Sequence, residues 1–331
     1  MTPTISLFHH LFSPWSVRGD SRVVASERVW RDVLNWKHAI EFPLFVDGDL
    51  NRKRPRVWVG VDVFEDWQGP FYTADGSKLL LTLDKQFTTD PNNDYPRIAI
   101  AHDVRDRLFA LIDRTPHLDW MICTERLENV ARMMPPAVTN LSVLKRTGHH
   151  EQYRENLWLG TRVSTQAEAD ARIPKLLEVP ARVRFAEVVV TGEIDFQSFQ
   201  VNRHATYDAL SGCGFSRRSQ IQSNPNIFGN KIDLLILRGE TGPDARPCPI
   251  DAVQSLVRQG KEAGVAVWVE NVGSRVVGCK TCHDNPYWAR TLSSWKRCPD
   301  CALKGPRHPD GADPMEWPED LRVRQLPNGM E

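Results

Sequence analysis

Residues 232–271 have the sequence IDLLILRGETGPDARPCPIDAVQSLVRQGKEAGVAVWVEN, in which two apolar runs enclose a loop and an amphipathic stretch. The runs Ile232 to Leu237 and Val265 to Val269 have the length and composition of buried strands. The stretch from Asp251 to Ala263 has helical spacing, and Gly264 follows it at the position where helices commonly end. This order of strand, helix and strand predicts a βα unit on a buried parallel sheet.

The same alternation extends towards the N-terminus. Further candidate strands are Val57 to Val61, Trp120 to Cys123, Leu157 to Thr161 and Val183 to Val190. Further candidate helices are Ser26 to Lys37, Asp103 to Asp113, Glu125 to Met134 and Thr165 to Glu178. About six strands with crossover helices predict an α/β fold, either a complete or partial (β/α) barrel or, as the alternative, an open doubly wound sheet. In both architectures, functional residues belong at the carboxyl ends of the strands.

The predicted domain organisation has three parts. A barrel-like domain covers residues 1–275, a zinc ribbon 276–305 and an extended C-terminal tail 306–331. The segment 197–231 is polar and rich in Ser and Asn, and it is too long for an ordinary loop. We interpret it as an exposed insertion, with a mobile active-site lid as the alternative.

Composition limits the classes of partner. The 42 basic and 42 acidic residues give the 331-residue chain a formal net charge of zero, so it lacks the bulk positive charge of many nucleic-acid binders. No apolar run has the length of a membrane span, and the N-terminus does not have the pattern of a secretory signal. We therefore expect a cytoplasmic protein with no membrane partner.

Four of the seven cysteines lie in one short C-terminal stretch. Cys279 and Cys282 form CKTC, and Cys298 and Cys301 form CPDC. Two such turns supply four thiolates in the spacing that tetrahedral zinc requires, and four protein ligands leave no open position for water. This pattern predicts a structural zinc ion, with a redox dithiol pair or unrelated reduced thiols as the alternatives.

The loop RGETGPDARP follows the strand at 232–237. Glu240 and Arg246 offer an acceptor and a bidentate donor where a ligand carboxylate or phosphate would bind. The alternative is that the two side chains pair with each other and brace the loop. The chain lacks the GxSxG, HExxH and Walker-type motifs, so the sequence assigns no catalytic residue.

Blocks along the chain occur together in one known family. They include VWRDVLNW near Trp30, RPRVWVGVDVFED near Asp62, LFALIDRTPHLDWMICTERLENVARMMPPA and RGETGPDARP. From about Trp15 to Gly273 the sequence resembles the phage gene-product-37/68 proteins, a three-cysteine-motif family of undetermined function. These are similar to radical S-adenosylmethionine enzymes in having an N-terminal cysteine trio, ending in CxxCY, for an iron–sulfur cluster on a barrel of βα units. The resemblance implies a barrel here too, and the ligand-binding candidates Asp62, Arg126, Glu240 and Arg246 match the family.

The chain departs from the family at several positions. No cysteine precedes Cys123, so the trio is absent and we expect no iron–sulfur cluster. Glu125 and Glu270 stand where the family has Lys, and Val188 stands at an acidic position, although Glu187 is one residue away. Either the protein has lost its cluster and kept a binding role, or the segment that holds the cluster is missing from this chain. The charge reversals favour the first explanation.

We therefore expect a phage-type binding or partner protein with structural zinc, in the host cytoplasm. Its partner would be an intact family member or another phage-encoded protein. One alternative is an enzyme acting on a nucleotide or nucleic acid; the evidence for nucleic acid is a modest basic patch around Lys280, Lys296, Arg297 and Lys304. Another is a radical S-adenosylmethionine-type enzyme whose N-terminal segment is missing. The sequence leaves open whether the protein is an enzyme.

Overall fold

In the computed structural model, the residues described are 7, 10–36, 54–84, 95–135, 153–202, 205–216, 229–278 and 308–327. Contacts divide the chain into two compact units. We call Phe8–Trp158 the N-terminal unit, and Met1–Leu7 together with Leu159–Glu331 the C-terminal unit.

The N-terminal unit contains a parallel sheet and two small accessory sheets. Its strands are β1 (His10–Phe12), β2 (Trp15–Arg18), β3 (Ser21–Val24), β4 (Arg56–Val59), β5 (Phe71–Tyr72), β6 (Leu81–Asp84), β7 (Tyr95–Ile98) and β8 (Asp119–Cys123). Its helices are α1 (Glu27–Asn35), α2 (Ala101–Arg114) and α3 (Leu127–Met133). Strands β1, β4 and β8 lie side by side in that order and are parallel. The accessory sheets have the orders β2-β3-β5 and β6-β7.

Aromatic packing holds this unit together. Phe12 of β1 meets Trp30 of α1 and Trp120 of β8 edge to face, with ring centroids 5.0 and 5.6 Å apart, and all three side chains are buried. Helix α1 begins where the Ser26 hydroxyl accepts a hydrogen bond from the Val29 N–H. The short strand β1 is therefore held by the packing of Phe12 as well as by its backbone pairing with β4.

The C-terminal unit has the same construction. Its strands are β9 (Leu157–Val163, most of which lies in this unit), β10 (Val183–Val189), β11 (Phe199–Asn202), β12 (Ala205–Asp208), β13 (Cys213–Ser216), β14 (Leu234–Arg238), β15 (Cys248–Pro249), β16 (Ala266–Asn271) and β17 (Val276–Val277). Its helices are α4 (Gln166–Glu178) and α5 (Ile250–Ala263). The order in the main sheet is β9-β10-β14-β16, and the pairs β10/β14 and β14/β16 are parallel.

The prediction of an α/β fold with parallel strands is confirmed. All six candidate strands and all five candidate helices are present, and Gly264 ends α5 in the left-handed conformation. The additional strand β1 was not predicted, because three residues are too few to show a period. Within each unit the strands of the main sheet follow chain order without a reversal, as in a (β/α) barrel and unlike a doubly wound sheet.

The segment 197–231 contains more regular structure than its composition predicts. Strands β11, β12 and β13 form an antiparallel sheet, and Phe199 and Tyr207 are buried. Tyr207 donates its hydroxyl hydrogen to the Asn230 carbonyl, and burial raises the pKa of Tyr207 to about 12. Residues 203–204 and 217–228 of this segment lie outside the described part.

The end of the chain packs along the edge of β16. Val269 donates its N–H to the Val323 carbonyl, and Gln325 donates its N–H to the Val267 carbonyl, both at 2.9 Å. Two short 3-10 helices, Pro314–Glu316 and Glu319–Leu321, precede this pairing. The tail thereby covers the backbone groups of an edge strand. None of the described helices has the length and apolar character needed to cross a membrane.

Candidate functional site

Asp62 and Arg126, two of the predicted ligand-binding residues, lie together in the N-terminal unit. Asp62 follows β4 and Arg126 follows β8, and these strands are parallel neighbours. Asp62 Oδ2 accepts a hydrogen bond from Arg126 Nη1 at 2.8 Å. Asp62 Oδ1 accepts from Thr124 Oγ1 at 2.8 Å and from the Phe64 N–H at 3.0 Å. The carboxylate therefore connects the loops after two strands and is largely satisfied by the protein.

A second acid in this unit, Glu65, is bound by Arg22. The Arg22 guanidinium makes a bidentate contact with the Glu65 carboxylate at 2.7 and 2.9 Å, and Trp15 Nε1 adds a third bond at 3.1 Å. Arg22 also stacks over Trp67, with its guanidinium carbon 4.3 Å from the ring centroid. Since Glu65 has three donors, it holds the β2-β3 hairpin against the loop after β4.

Glu240 and Arg246 pair with each other in the C-terminal unit. Arg246 donates from Nε at 2.8 Å and from Nη2 at 2.6 Å to Glu240 Oε1, and its backbone N–H donates to Oε2 at 2.8 Å. These hydrogen bonds lower the pKa of Glu240 and raise the pKa of Arg246. The arrangement is the loop-bracing alternative that the sequence left open.

The loop that carries Glu240 is held in place at its base. Asn271 Oδ1, at the end of β16, accepts the N–H groups of Gly239 at 3.2 Å and Gly273 at 3.0 Å. A Cβ at Gly239 would lie 2.6 Å from the Gly273 nitrogen, so only glycine permits this backbone approach. The partly exposed Glu240–Arg246 pair therefore lies on a loop whose base is fixed by hydrogen bonds.

A third acid, Glu187 on β10, binds two arginines. Its Oε2 accepts from Arg162 Nε on β9 at 2.8 Å, and its Oε1 accepts from Arg238 Nη1 on β14 at 3.0 Å. The Glu187 side chain is 2% exposed, whereas those of Arg162 and Arg238 are 45% and 36% exposed. We call these three residues the Glu187 cluster.

The Glu187 cluster lies on the face of the sheet opposite α5. A Cβ at Gly260 of this helix would contact Val267 and Leu235, so these two side chains point towards the helix. Because side chains alternate along a strand, Arg238 points the other way, and Glu187 shares that face with it. Sequence reasoning mentioned Glu187 only as a neighbour of Val188 and did not select the arginines. The sequence did offer one signal for this cluster, which is an arginine in each of two largely apolar strands, β9 and β14.

The described part of the chain contains three cysteines and no candidate metal site. Cys123, Cys213 and Cys248 are reduced, and burial raises the pKa of Cys248 to about 12, which keeps its thiol protonated. No group of three or more His, Cys, Asp and Glu side chains that could hold a metal occurs among the residues described. The four predicted zinc ligands, Cys279, Cys282, Cys298 and Cys301, lie outside that part.

Comparison with known proteins identifies a family. A family model described as a protein of unknown function, DUF5131, matches residues 87–295. No curated protein and no solved structure matches the chain. The matched residues make up more than half of the sequence. The chain therefore belongs to the DUF5131 family, whose function is unknown.

Proposed function

We propose that this protein is a binding or partner protein of the phage type, built as a partial (β/α) barrel, with structural zinc and without an iron–sulfur site. The barrel part of the proposal is supported by the strand order, which follows the chain within each unit. The phage origin is supported by the sequence blocks around Trp30, Asp62 and Glu240.

The observation that carries the binding role is the pairing of the strand-end acids with arginines. Asp62 is bound by Arg126 and Glu240 by Arg246, at 2.8 Å and 2.6 Å respectively. A general base works best when its pKa lies near the working pH. Hydrogen bonds from Arg246 lower the pKa of Glu240, further from neutral pH, so this carboxylate stays ionised and is a poor proton acceptor. Paired charges on a rigid loop are suited to recognising a partner of complementary charge.

The zinc part of the proposal rests on the chemistry of the donor set. Four cysteine thiolates in two CxxC turns match the ligands of structural zinc sites, and their number leaves no position for a reacting water. Zinc there would contribute folding free energy to a short segment that has little core of its own. An iron–sulfur cluster of the family's kind would need the cysteine trio, which the sequence lacks before Cys123.

Metal analysis of anaerobically purified protein tests this proposal. We expect about one zinc per chain, no stoichiometric iron and no cleavage of S-adenosylmethionine. Replacing Cys279 and Cys282 by Ser should abolish zinc binding, while the matched control Cys213→Ser, at an exposed thiol outside the motif, should retain it. Several irons per chain together with cleavage of S-adenosylmethionine would contradict the proposal and favour a radical enzyme.

The alternative, an enzyme acting on a nucleotide or nucleic acid, predicts a different result. Short DNA or RNA would then bind with an affinity that falls steeply with salt concentration, because phosphate contacts release counterions. Binding that does not depend on salt, or no binding at all, would argue against this alternative.

A further inference from the structure

Four aliphatic side chains of the N-terminal unit form one exposed patch. They are Leu79, Leu81, Ile98 and Ile100, at the open end of the antiparallel pair β6 and β7, and we call them the hairpin block. We propose that the hairpin block is a docking surface for an amphipathic helix of a partner protein. The proposal assigns a surface that includes neither the strand-end acids nor the predicted zinc ligands.

The register of β6 and β7 puts the hairpin block on one face of the pair. Leu81 lies opposite Ile98, and the two strands are antiparallel. The Ala99 N–H donates to the Leu80 carbonyl at 2.8 Å, which continues the same register past the ends of both strands. Because alternate residues of a strand share a face, as do residues directly opposite each other, the four side chains form two adjacent cross-strand pairs.

The two faces of this hairpin differ in burial. Ala99, which points to the other face, is buried, whereas the residues of the hairpin block are between 40% and 58% exposed. Single exposed aliphatic residues are common on protein surfaces, but a contiguous exposed apolar patch marks an interaction site. All four side chains are aliphatic, so the group that covers them must also be apolar.

The size of the hairpin block limits what can cover it. A stable protein interface buries about 800 Å² per partner and involves roughly 20–30 residues on each side. Four side chains are too few to hold two copies of this chain together as a stable dimer. They match instead the few apolar positions that one short segment presents.

The form of the surface favours a helix as this segment, because the hairpin block presents side chains. In the C-terminal unit, a comparable surface is covered by a helix of this chain. Leu235 and Val267 are opposite each other on β14 and β16, and α5 packs on both of them at Gly260.

The spacing of aliphatic side chains on a helix fits the same surface. Residues three and four apart on a helix have Cβ atoms about 5–6 Å apart, close to the spacing of about 4.5–5.5 Å between opposite residues of an antiparallel pair. One aliphatic stripe can therefore contact both cross-strand pairs of the hairpin block, and an amphipathic helix keeps its polar face in water.

The test is titration of the whole chain into a fluorescently labelled amphipathic peptide of about 18 residues, or five helical turns. This peptide has Leu in the i, i+3, i+4, i+7 pattern, with Lys and Glu elsewhere in equal number. A second peptide has the same composition in an order that lacks the stripe. By fluorescence anisotropy we expect saturable binding of the amphipathic peptide, with a dissociation constant below about 100 μM, and binding of the second peptide at least about tenfold weaker.

Substitutions in the hairpin block test whether the peptide binds there. Leu79→Lys and Leu81→Lys should each weaken binding by about tenfold or more, because an apolar stripe cannot solvate the ammonium group. The matched control is Met315→Lys, since Met315 is about as exposed as Leu81 but lies in the C-terminal unit, and this variant should bind like the unmodified chain. Circular dichroism and thermal melting establish that each variant is folded. If Leu81→Lys does not fold, Leu79→Lys still tests the surface.

The outcomes decide between the possible occupants. No binding, equal binding of the two peptides, or equal affinity in the folded leucine variants and Met315→Lys overturns the proposal. Sedimentation velocity of the chain alone, over about a hundredfold range of concentration, tests for a second copy. Self-association that Leu81→Lys abolishes would assign the hairpin block to a second copy and overturn the helix. Metal analysis is a separate measurement, so failure of peptide binding leaves the zinc part of the proposed function intact.

Discussion

The two units both place an acid and an arginine near the carboxyl ends of parallel strands, but the acids differ in their burial and in how many strands they connect. In the N-terminal unit, partly exposed Asp62 meets one guanidinium, that of Arg126. In the C-terminal unit, buried Glu187 meets two guanidinium groups. The first arrangement is neutral and joins two loops. The second joins strands β9, β10 and β14 through one buried acid, so burial and the number of strands that an acid connects distinguish the two units.

The largest expected effect is the loss of Glu187. Glu187→Ala leaves Arg162 and Arg238 close together without the carboxylate that separates them, and it opens a space in the sheet. We expect the free energy of unfolding to fall by about 3 kcal/mol, measured by urea denaturation followed by tryptophan fluorescence. A loss no larger than that for Asp62→Ala would remove the energetic distinction between the two units.

The next largest effect concerns Gly239, at the base of the loop that carries Glu240 and Arg246. In Gly239→Ala the added methyl group would meet the backbone of Val272 and Gly273 at 2.6 Å, and backbone cannot move aside as a side chain can. We expect a loss of about 2 kcal/mol. Gly192→Ala is the matched control, because a Cβ at Gly192 has no atom within 4 Å and should leave the midpoint of denaturation unchanged.

A smaller effect is expected for the balanced pair in the N-terminal unit. Asp62→Ala removes the acceptor of Arg126, Thr124 and the Phe64 N–H. Thr124 and Phe64 are buried, but Asp62 itself is 21% exposed, so water can enter the space that its carboxylate leaves. We expect a loss of about 1 kcal/mol by the same denaturation measurement. Asp62→Asn should recover part of this loss, since its amide oxygen still accepts the Thr124 and Phe64 bonds. Equal losses for the two variants would show that the charge contributes more than the hydrogen bonds.

The smallest effect is the pH dependence of the Glu240–Arg246 pair. Hydrogen bonds from Arg246 lower the pKa of Glu240 below its ordinary 4.5, so the folded chain binds this proton less readily than the unfolded chain. The stabilisation is therefore complete above pH 4.5 and is lost as the pH falls through the lowered pKa. The Arg246 side chain is 50% exposed and that of Glu240 is 29% exposed, so solvent screens the pair and we expect less than about 0.5 kcal/mol at pH 7.

Melting temperatures of Glu240→Gln, Arg246→Gln and the double variant measure that contribution. The coupling between the two substitutions should be present at pH 7 and decrease as the pH falls below 4.5 and through the lowered pKa of Glu240. A coupling that persists at the lower pH would show that the pair does not depend on the ionised carboxylate.

Much of the secondary structure could be predicted because its signals are local. The apolar runs at Val183 and Ile232 and the helical spacing before Gly264 each occupy a few consecutive residues, and the structure contains the expected elements there. Strand β1 and the three strands between 199 and 216 were not predicted, because runs of three or four residues rarely show a period. They are held by contacts with residues distant in sequence, such as those between Phe12, Trp30 and Trp120.

The candidate site could be predicted only in part. Asp62, Arg126, Glu240 and Arg246 were selected as ligand-binding candidates, and the structure brings them together as two ion pairs. Arg162 and Arg238 were not selected, since an arginine in an apolar strand points to no partner until the neighbouring strand is known. The zinc prediction depends on spacing alone and stays a prediction for the residues from 279 to 301.

The order of residues along the chain is sufficient for the α/β class, for the limits of most strands and helices, and for the zinc-type spacing of the four cysteines. It was insufficient for deciding which charges meet. Glu187 is 25 residues from Arg162 and 51 from Arg238 in sequence, and only the lateral order of β9, β10 and β14 makes it their common partner. Helices and strands arise from interactions between near neighbours, whereas the pairing of side chains across a sheet depends on strand order and register, which the whole folded chain determines.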